Sequence, residues 1–105
     1  MSLEGQPPDS DQVFSTAAEL FGLLSAPVRL KIVCALSEGE KNVTQLLARV
    51  DTTQPNLSQH LSTLYRCGVL ARRRVGAQVY YRVASERVAL LCQAVREEQA
   101  RQHIA

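Results

Sequence analysis

Residues 53–82 read TQPNLSQHLSTLYRCGVLARRRVGAQVYYR, and the order of these side chains decides the fold. Thr53 is a hydroxyl cap ahead of Pro55, which the first turn of a helix tolerates because its amides have no intrahelical partner. Leu57, Leu61 and Leu64 then recur on one helical face, with Asn56, Gln59, His60 and Thr63 largely away from it. Gly68 ends that helix. Val69-Leu70 and Val79–Val83 are strand-like, and Val75-Gly76-Ala77-Gln78 joins them as a hairpin.

The same stretch concentrates charge. Five arginines lie between Gln54 and Arg82 (Arg66, Arg72, Arg73, Arg74 and Arg82), with no acidic residue among them. The chain holds 12 Lys/Arg and 10 Asp/Glu, so the remainder, 7 basic against 10 acidic, sums to −3 beside a +5 segment. A concentrated basic element is the electrostatic footprint of a duplex-DNA reader.

Working outward, 105 residues provide one domain with one small core. With aromatic content at 5%, aliphatic side chains must fill that core, and a two-subunit interface is a common supplement at this size. No apolar run approaches membrane-spanning length, and MSLEGQPPDSDQ lacks the regions of a signal peptide, so a cytoplasmic protein is expected. Three cysteines, an odd number, are then reduced by default and do not suggest a disulfide framework. There is no CxxC, no phosphate-cradling glycine loop and no nucleophile with a recognisable base, so an enzyme is not expected.

Residues 1–10 read as a disordered leader, 11–101 as the folded domain and 102–105 as a frayed tail. Val13, Phe14, Ala17, Ala18, Leu20, Phe21 and Leu24 form a first amphipathic helix ending near Ser25. Ser25 caps a second helix over Pro27–Ser37, stopped by Gly39, and Val43–Val50 is a short third. A last helix from about Ser85 carries Val88, Leu91, Cys92 and Val95 at helical spacing and fades after Glu98. The fold class is mainly α with a small β-hairpin, in the order α-α-α-α-β-β-α.

Two short helices around a tight turn, the second polar on its outer face, describe a helix-turn-helix, and the basic hairpin behind it is a wing. Amides of Gln and Asn pair with adenine, Ser or His reach base edges or phosphates, and wing arginines suit phosphates or a narrow minor groove. A solvated strand face with ordinary surface polars would explain any one of these features; their combination and order favour DNA.

Here the chain resembles the ArsR family of winged-helix repressors over residues from about 17 to 98. The resemblance rests on LSAPVRLKIVCALSEGE, TTQPNLSQHLSTLYRCGVL and RRRVGAQVYYRV. It implies a homodimer, joined through its first and last helices, that holds a palindromic double-stranded DNA operator until a signal releases it. Half-sites about one helical turn apart, roughly 10 bp, go with that geometry. By the same likeness Gln54, Asn56, Ser58, Gln59 and His60 are the base- and phosphate-facing set. Arg72, Arg73, Arg74, Gln78 and Arg82 are wing contacts, and Tyr80 and Tyr81 pack the hairpin.

Metal sensing is the family's best-known chemistry, yet no metal site and no cofactor are expected. The paired cysteines of its soft-metal sensors fall at Asn42 and Thr44, which supply no thiolate. The donors of its last-helix zinc site fall at Ser85, Arg87, Glu98 and Arg101, where two cations repel zinc. Cys67, in the slot before Gly68, reads as a compact half-buried residue. Cys92 lies on the apolar stripe, as a core residue or a switch partner. Cys34 projects to the flank of the second helix, whose core face is Ile32, Val33 and Leu36, and both packing and sensing fit it. A thiol-responsive branch of the family, sensitive to reactive sulfur or oxidants, resembles this RL-x-I-x-C context, with its partner cysteine where Ala100 stands here.

The leading expectation is a repressor released by modification of Cys34 and Cys92. A metalloid sensor trapping As(III) or Sb(III) with Cys34, Cys67 and Cys92 is the second. A winged-helix adaptor that binds protein is the third.

Overall fold

The structure, a computed structural model, describes residues 11–104, so the leader expected over 1–10 lies outside them. The elements are α1 (Asp11–Leu23), α2 (Pro27–Ser37), β1 (Lys41–Asn42), α3 (Val43–Leu47), α4 (Gln54–Arg66), β2 (Leu70–Val75), β3 (Gln78–Val83) and α5 (Glu86–Ile104). This is a winged helix-turn-helix of five helices and a three-stranded antiparallel sheet in the order β1-β3-β2.

The third strand is an addition to the expected hairpin. Lys41 and Asn42 pair with Tyr81 and Tyr80 and so fasten the wing to the start of α3. Asn42 also caps α3 in a reciprocal box: its Oδ1 accepts from the Gln45 amide at 2.9 Å, and Gln45 Oε1 accepts from the Asn42 amide at 2.9 Å.

Boundaries move where local bonds outweigh periodicity. Ser25 does not cap α2; its Oγ donates back to Gly22 O at 2.8 Å and closes α1, leaving Ala26 as a cap residue without a side-chain bond. Helix α3 ends at Leu47 rather than Val50, and α5 continues past Glu98 to Ile104.

The core collects Ile32, Val33 and Leu36 of α2, Leu46 of α3, Leu57, Leu61 and Leu64 of α4, Leu70 and Tyr81 of the wing, and Val88 and Cys92 of α5. Helix α1 buries no residue; Phe14 is 62% exposed and Phe21 60% exposed on its surface. Phe21 and Leu90 border a groove of about 1100 Å³ between α1, α5 and the end of α4.

Candidate nucleic-acid interface

Helix α4 is fixed at both ends. Thr53 Oγ1 accepts from the Asn56 amide at 3.2 Å, as an N-cap should. At the other end Val69 N donates to Leu64 O at 3.0 Å and Gly68 N to Tyr65 O at 3.1 Å, with Gly68 at φ +81°. This is a Schellman closure, sealed by buried Leu64 and Val69. It fixes the direction in which the chain leaves α4 and enters β2.

The leucine face of α4 is buried, so its polar face points outward. Gln54, Ser58 and Gln59 are exposed, and their side chains have no hydrogen-bond partner among the described residues. Asn56 and His60 are half-buried and engaged. Asn56 Nδ2 donates to Thr52 Oγ1 at 2.7 Å, and His60 Nδ1 accepts from Arg29 Nε at 3.0 Å. Ser62 and Arg66 are exposed and share the side of Gln59 at i+3 and i+7. That spacing was readable in the sequence, but neither residue was included in the expected contact set.

The wing splits its arginines between two faces, because neighbouring strand residues point oppositely. Arg72 and Arg74 share a face with buried Leu70 and Tyr81, while Arg73 and Arg82 share the other with Tyr80. Arg72 stacks on the Tyr65 ring at 3.9 Å, joining the wing to α4. Arg73 is bound twice by Glu40, Nε to Oε2 at 2.7 Å and Nη2 to Oε1 at 2.7 Å. That bond holds the Glu40 carboxyl below its ordinary range, with Arg73 and Arg82 adding their charge. Gln78 Oε1 accepts weakly from Asn42 Nδ2 at 3.4 Å. Arg74 and Arg82 are exposed and have no hydrogen-bond or ion-pair partner among the described residues.

Away from this surface, Cys34 on α2 packs against the core that contains Cys92 of α5, and Cys92 acts directly on the Cys34 thiol. Cys92 is fully buried and Cys34 half-buried. Burial first, then the bond to Cys92, pushes the Cys34 thiol from 9.0 up to about 12, against the opposing pull of Arg96. The Arg96 guanidinium is anchored there, Nη1 donating to Ser37 Oγ at 2.5 Å while Ser37 Oγ donates to Cys34 O at 2.7 Å. Cys92 thus stands against Cys34, and Ala100 is exposed further along α5.

Cys67 corrects one expectation: it is exposed, not half-buried, because the Schellman turn points it into the α1/α5 groove. The three-thiolate trap is corrected as well. Among the described residues no three histidine, cysteine, aspartate or glutamate side chains gather where a metal ion could be held.

Known proteins agree with this geometry. The family model described as bacterial regulatory protein, arsR family, matches residues 26–72, from α2 into β2. A biofilm growth-associated repressor of Agrobacterium fabrum is 36% identical over 88 residues, covering 84% of this chain and 75% of that protein. The transcriptional repressor BigR of Xylella fastidiosa superposes with a TM-score of 0.78 at 37% identity, covering 90% of this chain and 93% of that one. The homodimeric winged helix-turn-helix DNA-binding domain of Mb0332 from Mycobacterium bovis gives 0.68 at 29% identity, covering 96% and 93%. The chain belongs to the ArsR family of bacterial regulatory proteins and is a DNA-binding transcriptional regulator rather than an enzyme.

Proposed function

We propose that the chain is one protomer of a cytoplasmic homodimeric repressor that releases a palindromic operator when Cys34 and Cys92 become a disulfide. The observation that carries the switch is the packing of Cys34 on α2 against the core that holds Cys92 of α5, where each thiol is the other's neighbour. Helix α2 leads into the reading unit, and α5 borders the groove that a second copy would fill. A bond between them therefore links inducer chemistry to the spacing of the two reading helices.

Gln54, Ser58 and Gln59 read bases, with Asn56 and His60 beside them, and Arg72, Arg73, Arg74, Gln78 and Arg82 serve the flanking phosphates. The exposed apolar surface of Phe14, Phe21 and Leu90 supports the dimer, as does the homodimeric state named for the Mycobacterium bovis relative.

The inducer is a reactive sulfur species such as a hydropersulfide. Cys34, the more accessible thiol, attacks the outer sulfur as thiolate; the donor S–S bond breaks and its thiol leaves with the electron pair. Cys92, deprotonated, then attacks the Cys34 sulfur of the resulting persulfide and expels hydrosulfide. The sulfane sulfur gains two electrons and the two cysteines lose them.

The test is a fluorescence-anisotropy titration on an operator duplex with and without inorganic polysulfide, for wild type and Cys34→Ser. Polysulfide should weaken wild-type binding alone, with a loss of two hydrogens in its intact mass. Unchanged affinity in a protein shown to carry the disulfide would end the switch and leave DNA binding standing.

A further inference from the structure

We infer that Arg29 is a positioning residue for DNA binding, acting through His60, whose imidazole it locks as a hydrogen-bond donor to a backbone phosphate. Arg29 lies on α2, outside the reading helix and outside the basic segment. Its Nε donates to His60 Nδ1 at 3.0 Å, and its Nη1 donates to Leu23 O, the last residue of α1, at 3.2 Å. The second bond keeps the guanidinium from turning away.

An arginine side chain has donors only and stays charged throughout the working pH range. Nδ1 must therefore present its lone pair to Arg29, and in the neutral ring the single proton sits on Nε2. Nε2 has no partner among the described residues, so His60 offers the outside a donor and no acceptor. The cation behind the ring polarises that N–H further and favours an anionic acceptor. His60 also sits on the flank of α4, half-buried beside the leucine face rather than on the outward face of Gln59. A flank position lies against the wall of a groove, where phosphates line the strand, whereas the outward face meets the base edges. The two facts give one assignment, a phosphate oxygen.

This inference rests on α4 being the reading helix, and its test keeps the two apart. The first measurement is long-range ¹H–¹⁵N correlation on the full chain labelled with ¹⁵N-histidine, at about pH 8. His60 should appear as the Nε2–H tautomer alone, and Arg29→Met should populate both tautomers. The second is operator affinity. Arg29→Met and His60→Phe should each weaken binding about tenfold, and the double variant should be no weaker than either. A wild-type Nδ1–H tautomer, which needs no variant to observe, overturns the proposal, as do additive losses. Gln59→Ala serves as the control: if it weakens binding while His60→Phe does not, α4 reads DNA and the His60 assignment is wrong. If neither matters, the reading helix itself is misplaced.

Discussion

Arg73 and Glu40 meet in a two-bond ion pair across the outer face of the wing, both contacts at 2.7 Å. The carboxylate occupies the guanidinium edge that a phosphate would take, so wing binding to DNA competes with an internal anion. Glu40→Gln should therefore tighten DNA binding, by up to about fivefold on the scale of exposed ion pairs, and steepen its salt dependence. The pair holds the Glu40 carboxyl below its ordinary 4.5, so the interaction is complete above that value and is lost only as pH falls through the depressed one. Acidification within the physiological range should leave the Glu40 effect unchanged. Affinity titrations of both proteins at two pH values and three salt concentrations check this; a weaker Glu40→Gln complex would contradict it.

Reading and gripping should separate by variant. Gln59→Ala should cost about 1–3 kcal/mol on the cognate operator and relax preference at one base pair per half-site. Arg74→Ala should weaken cognate and scrambled duplexes alike and lower the salt slope by about one contact. Arg73→Ala should do less than Arg74→Ala, because Glu40 already holds Arg73 and nothing described holds Arg74. Equal losses for the two arginines would show that the ion pair opens without cost on DNA.

Local features were legible in the sequence, and long-range ones were not. The Leu57, Leu61, Leu64 spacing and the Thr53 cap needed only neighbours in the chain, and both appear as read. β1 is two residues long and exists only through its pairing with Tyr80 and Tyr81, so no periodicity announces it. Glu40 reaches Arg73 over 33 positions and Arg29 reaches His60 over 31, contacts that composition cannot show. The arginine run was visible, but the pleat that sends Arg73 and Arg74 to opposite faces decides which of them is already engaged.

Gly68 tests backbone against space. An added Cβ there would meet nothing within 4 Å, yet the residue sits at φ +81°. Gly68→Ala should cost about 1–2 kcal/mol from conformation alone, and Gly68→Asn less, since Asn tolerates this region better. Denaturant unfolding at fixed protein concentration measures both. A much larger loss would mean that the turn also packs against something.

The cysteines should differ in reactivity. Cys67 is exposed and should alkylate first with iodoacetamide at pH 7.5, while Cys92 is buried and should react last. For Cys34 burial is the largest cause raising the thiol to about 12, so the protonated form persists in the fold where an unfolded chain would ionise near 9.0. Its labelling rate should climb about tenfold per pH unit across the alkaline range. The sign for stability follows: the folded form is favoured below pH 9 and loses ground as pH rises from there toward 12. Arg96→Leu removes the opposing cation and should slow Cys34 labelling further at every pH. Peptide mapping of the alkylated protein resolves the three rates, and faster labelling of the Arg96 variant would refute the assignment.

Phe21 offers the sharpest test of the dimer. It is 60% exposed on a helix that buries no side chain within the protomer, so Phe21→Glu leaves the core untouched. If a second copy covers α1, the substitution places two carboxylates in an apolar interface and should yield monomers by light scattering, with far-ultraviolet circular dichroism retained. Each monomer keeps its reading helix but loses the tethered second half-site, so operator affinity should fall by at least about a hundredfold while affinity for a single half-site stays the same. A Phe21→Glu protein that remains dimeric would place the interface elsewhere, and the exposed phenylalanines would then mark a surface for another partner.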